Sequence, residues 1–174
     1  MTDVSSLYAY AVEYLDACNQ ALATTVGGAI DRAYVTPGLP VVDCCPMLAV
    51  DVRSLFPEQT APTGPPPVLG HRGVRTPAMW LVALVATVAR CTPVIEEGAV
   101  LPTADELEVS ARQIDEDIWA IWNMLLQLKR AGELFGGACR SMYLDPPTSF
   151  NSGGCAGWSF QIRVPVDGYR PSIT

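Results

Sequence analysis

Few residues of this chain could carry chemistry. The one histidine, His71, lies in PEQTAPTGPPPVLGHRGVRTP, residues 57–77, a stretch with six prolines and three glycines. Hydrolysis needs a nucleophile, a base and an orienting group that converge, with the base held rigidly. A single histidine among so many prolines and glycines is expected to be solvated. The six cysteines stand at 18, 44, 45, 91, 139 and 155. No C-x-x-C pair occurs, and the adjacency of Cys44 and Cys45 is a spacing that zinc sites rarely use. They are expected to be small buried hydrophobes, the alternative being that some pair once the surroundings become oxidising. Cys155, in SGGCAG, has no histidine or basic neighbour in sequence to lower its pKa. The glycines at 153, 154 and 157 precede a predicted strand, whereas dinucleotide and phosphate loops open a helix. Asp115, Glu116 and Asp117 are consecutive on a predicted helix, so they fan out over more than half of its circumference and do not converge. A solvated or subunit-facing role is expected for them, as for Glu96 and Glu97. The expected site inventory is therefore empty of catalytic, cofactor-binding and metal-ligating residues, and the chain does not read as an enzyme.

The elements that would hold such residues follow from periodicity and punctuation. Ser5 or Ser6 can cap a helix in which Leu7, Ala11, Tyr14, Leu15, Cys18 and Leu22 recur at steps of three and four, over about residues 6–24. A short strand is expected near 29–36, ended by Pro37 and Gly38. In PMLAVDVRSLFPE, Leu48, Val50 and Val52 alternate with Ala49, Asp51 and Arg53, which predicts a strand with one buried face. Residues 57–77 can be neither helix nor central strand, and a connection of that length reads as an arm or a passive linker. The apolar, valine-rich AMWLVALVATVARC between Pro77 and Pro93 favours a buried central strand over a helix. Thr103 and Glu106 then form a capping box, with Asp105 and Glu106 at the positive end of a long helix and Lys129 and Arg130 near the negative end. Along it Leu107, Ala111, Ile114, Ile118, Ile121, Leu125 and Leu128 make one stripe, expected to pack on a sheet, with Trp119 and Trp122 at its margins. CRSMYL begins a strand, DPPTSFNSGGCAG turns, and Trp158, Phe160, Ile162 and Val164 alternate with Ser159, Gln161 and Arg163 in the closing strand to Val166. The expected fold is a single α+β domain, 1–174. Its mainly antiparallel sheet has four to five strands, with the N-terminal helix and the long helix packed on one face.

With 174 residues the chain is one domain in size. Its formal charge of −7 rests on 18 acidic residues against 11 basic ones, a single lysine among them. Free nucleic-acid binding is disfavoured, since phosphate neutralisation needs a basic face. The apolar fraction of 49% is high and suggests surface buried between subunits. The N-terminus MTDVSSLYAY lacks the pattern of a signal peptide, and the longest apolar run, Ala78 to Ala89, is too short for a membrane helix, which needs about 20 residues.

In its order of elements the chain resembles the tail-terminator, or head-to-tail joining, proteins of long-tailed bacteriophages. The likeness is carried by the opening helix SLYAYAVEYLDACNQALATT, the strand pair flanking residues 57–77, the long helix and the final GWSFQIRVPV. It implies a virion protein that caps the tail tube as a homo-oligomeric, hexameric ring, ends tail polymerisation and joins tail to head. The implied partners are its own copies, the tail tube protein and a head–tail connector or stopper protein. DNA would pass through the lumen without sequence-specific binding; no membrane and no cofactor are implied, and assembly would occur in the host cytoplasm. The competing expectations are another neck component, such as a stopper or head-completion protein, a non-viral oligomeric binding module, and an enzyme probed at His71 and Cys155.

Overall fold

The computed structural model describes residues 7–42, 46–57, 79–93, 101–135, 141–152 and 154–167. The cap at Ser5 or Ser6, residues 58–77 with His71, the carboxylates of Glu96 and Glu97, and Cys44, Cys45 and Cys139 lie outside them. In chain order the elements are α1 (Leu7–Leu22), β1 (Ala33–Thr36), β2 (Met47–Pro57), β3 (Met79–Cys91), α2 (Ala104–Ala131), β4 (Tyr143–Leu144), β5 (Thr148–Ser152) and β6 (Cys155–Asp167). The six strands form one sheet in the order β1-β2-β3-β6-β4, with β5 also paired to β6. Its pairings are antiparallel except β1 with β2, which is parallel. The expected class holds, and the expected four to five strands are too few.

The missing strand is β5, inside the segment expected to be a turn. Ser152 pairs with Cys155, so two residues close a hairpin, and Gly154 sits there at φ +80°. Tight hairpin loops need positive φ, which glycine takes without strain. The polar TSFNS has no apolar alternation, so no periodicity betrayed it. A second close approach needs glycine at 157, where a Cβ would lie 1.8 Å from the Val88 carbonyl oxygen.

Valine and isoleucine favour the pleated conformation, and the alternation decides which face is covered. Leu48, Val50, Val82, Leu84, Ala86, Val88, Phe160, Ile162, Val164 and Val166 all join the main core. A bulge at Arg53, between Val52 and Ser54, shifts the phase of β2, so that Leu55 packs against the same core as Val52. Against this face α1 lays Ala11, Tyr14, Leu15, Cys18 and Leu22, the predicted stripe, each larger side chain contributing about 2 kcal/mol by leaving water. The Tyr14 hydroxyl donates to the Phe160 carbonyl at 3.2 Å, which joins helix to sheet. The opposite face carries a smaller cluster of Met47, Ala49, Ala89 and Cys155 with Tyr34, Val42 and Phe150 beside it.

The capping box of α2 is formed: Glu106 N–H donates to Thr103 Oγ1, and the Thr103 N–H donates to the Glu106 carboxylate. Gly132 ends the helix in the left-handed region at φ 74°, its N–H donating to the Leu128 carbonyl. The predicted stripe is not buried throughout. Ile121 and Leu125 are buried and Ile114, Ile118 and Leu128 partly so, but Leu107 and Ala111 are exposed. Asp117 lies level with Arg90, the last residue but one of β3. In the turns before it Ser110 is also buried, while Leu107, Val109 and Ala111 are exposed.

Candidate functional site

Asp117, expected on a solvated or subunit-facing side, is 2% exposed and is corrected to a core residue. Arg90, also buried, donates through Nε and Nη2 to its two carboxylate oxygens at 2.8 and 3.2 Å. The same guanidinium donates to the Gly27 and Gly28 carbonyls at 2.9 and 2.8 Å, and the Thr25 hydroxyl donates to Asp117 Oδ1. A Cβ at Gly27 would come within 2.7 Å of the guanidinium, so glycine there makes room for the arginine. Glu116 accepts from the Val26 N–H. These contacts bind α2, β3 and the turn after α1 at one point. A buried ion pair persists only when its polar atoms are partnered, and here each guanidinium nitrogen has an acceptor. The spent hydrogen bonds make this a clamp. Of the three consecutive carboxylates, two reach the turn after α1 and Asp115 stays in water. No sequence pattern links Arg90 to Asp117, so the pair was not legible beforehand.

Two further acids are held by arginines, and one thiol is enclosed by the core. Asp51 is buried and held by Arg53 at 2.8 Å, and that hydrogen bond raises the pKa of the arginine. Asp145 accepts from Gln161 Nε2 and from Arg163, and Arg163 also stands over the Tyr143 ring. Cys18 is fully buried, and burial pushes its thiol pKa well up despite a hydrogen bond with Tyr14; the phenol of Tyr14 is raised for the same reason. Among the described residues no three His, Cys, Asp or Glu side chains cluster as metal ligands.

Among the hollows lined by the described residues, three differ in character. Between α1 and α2 a cleft of about 680 Å³ is edged by Glu13, Asp16 and Glu133. On the open face of the sheet a groove of about 500 Å³ runs over Thr87, Ser159 and Gln161, between Leu39–Val42 and Asp145–Phe150. A smaller, apolar one lies against Ile118, Trp119, Trp122 and Pro147. Trp119 there is 58% exposed, and Leu107, nearer the start of α2, is 50% exposed. Trp119, placed by its spacing at the margin of the stripe, is thus mostly in water, while Trp158 packs half-buried on the main core.

The arrangement presents contact surfaces, and the best candidate among them is the apolar side of the first half of α2 with the Trp119–Trp122 hollow. Among the described residues no helix is long and apolar enough to cross a membrane. No protein-family model matches the chain, and no curated protein matches it either.

Proposed function

We propose that this protein is a structural, ring-forming subunit of a bacteriophage neck, which caps the tail tube, ends its polymerisation and joins tail to head. The observation that carries the reading is the apolar surface that α2 leaves uncovered, with Leu107 50%, Val109 57% and Trp119 58% exposed on a helix that buries Ile121 and Leu125 in the core. Exposed apolar side chains on an otherwise packed helix suit a protein contact, and a neighbouring copy would cover them.

Three further features support the reading. The layered fold gives a rigid block with helices on one side of a sheet. The charge of −7 suits a lumen through which DNA slides without sticking. Among the described residues the buried ionisable groups Arg90, Asp117 and Asp51 are held by partners, which suits a molecule that works by shape. Head-to-tail contacts whose rotation closes produce rings; a hexamer would present one face to the tail tube protein and the other to the connector or stopper protein, in virions assembled in the host cytoplasm. Negative-stain microscopy of the purified protein is expected to show rings about as wide as a phage tail. A single monomeric species in light scattering at high concentration would refute the reading. Complementation separates it from a stopper role: loss of a terminator leaves overlong tails, whereas loss of a stopper leaves filled heads that leak.

A further inference from the structure

Cys91 ends β3, Cys155 begins β6, and the two are register partners. One step further along, the Thr92 N–H donates to the Gly154 carbonyl at 2.8 Å. Hydrogen-bonded and non-hydrogen-bonded pairs alternate along an antiparallel ladder, so a bond from 92 to 154 makes 91 and 155 a non-hydrogen-bonded pair. In such pairs the Cα atoms stand ~4.5 Å apart and the facing side chains are closest. A disulfide asks for Cα atoms roughly 4.4–6.8 Å apart, a spacing that this register meets. The ladder contains its own gauge of that closeness. Thr87 and Ser159 occupy a pair of the same type on the same face, and their hydroxyl oxygens are 3.3 Å apart.

Both residues are thiols in this structure, Cys91 exposed and Cys155 buried. We propose that Cys91 and Cys155 form a cross-strand dithiol that closes to a disulfide on meeting a small-molecule disulfide oxidant such as oxidised glutathione. The exposed Cys91 thiolate attacks one sulfur of the oxidant, forming a mixed disulfide and releasing one glutathione thiolate. The Cys155 thiol gives its proton to solvent, and its sulfur attacks Cys91 Sγ, breaking the mixed disulfide and releasing the second glutathione. The protein loses two protons and two electrons, and one oxidised glutathione becomes two reduced ones. Cys18 does not compete, because it is enclosed by the core and burial keeps it protonated. The bond would close a loop of about 65 residues containing α2, β4 and β5, and would act mainly by restricting the unfolded chain. It would fasten the end of the sheet beside Arg90, whose guanidinium holds α2.

The test uses the full-length protein, equilibrated with oxidised glutathione and then alkylated, with non-reduced peptide mapping of all six cysteines. The expected product is a linked Cys91–Cys155 peptide, together with a rise in Tm of roughly 5 °C or more that reductant reverses. Cys91→Ser is expected to lose both the linked peptide and the rise in Tm; Cys155→Ser is expected to keep glutathione attached at Cys91. The proposal is overturned if the wild-type protein retains both thiols, if Cys91 stays glutathionylated while Cys155 is alkylated, if either residue links to a different cysteine, or if Cys91→Ser shows the wild-type rise. Because Cys91 is exposed, its serine variant will fold and keeps the test decisive even if Cys155→Ser does not.

Discussion

The two halves of α2 carry one apolar rhythm and meet two different fates. From Asp117 onward the helix lies over the sheet, with Ile121 and Leu125 buried, whereas the turns before it leave Leu107 and Ala111 in water. The spacing of apolar residues establishes which side of a helix seeks cover. It does not establish how far the covering sheet extends, and here the sheet stops level with the Arg90–Asp117 clamp. The first half of the helix thus keeps apolar surface to offer at Leu107 and Val109.

The sharpest way to break this contrast is at the clamp. Asp117→Ala would strand a buried guanidinium and is expected to cost about 4 kcal/mol in urea unfolding. The double variant Arg90→Met/Asp117→Leu should recover part of that loss, because no buried charge is left unpaired, although the Gly27 and Gly28 carbonyls lose their donor. Next comes the covered half, where Ile121→Ala is expected to cost about 3 kcal/mol through the cavity it opens, read from the same unfolding curves. In the uncovered half Leu107→Ala should change monomer stability by less than about 0.5 kcal/mol; a loss as large as that of Ile121→Ala would mean that the ridge is covered within the monomer. If the ridge joins copies, Leu107→Ala would instead weaken association, seen as a lower mass in light scattering.

The smallest effect is expected at the capping box. Hydrogen bonds from the Thr103 backbone and side chain lower the pKa of Glu106. A carboxyl whose folded pKa lies below its unfolded value stabilises the fold above the unfolded pKa, and that contribution fades as pH falls through the lowered value. Glu106 is fully exposed, so water screens the effect. Helical circular dichroism followed from neutral pH into the acid range should show fraying of the first turn in the wild type, and Glu106→Gln should remove that pH dependence.

Much of this fold was legible beforehand where one local rule governs one element. The Thr103–Glu106 box, the Gly132 stop and the alternation from Phe160 to Val166 each state their conformation in the residues themselves, as does the 3–4 stripe of α1. The valine-rich stretch after Pro77 is likewise a strand at the centre of the sheet. Three features escaped. TSFNS pairs as β5 through its backbone, which polar side chains neither promote nor forbid. The parallel placement of β1 beside β2 depends on the path of the intervening chain. Asp117 looked like one more solvated acid because its partner, Arg90, lies 27 positions away.

By itself the sequence determined most of the elements and the side of each that seeks cover, because these follow from side chains near one another along the chain. Only the tertiary structure decided which part of α2 is covered, which acid meets Arg90, and that Cys91 stands opposite Cys155. Those outcomes depend on register and on the length of the sheet, which are set when distant strands pair and local interactions can no longer choose among them.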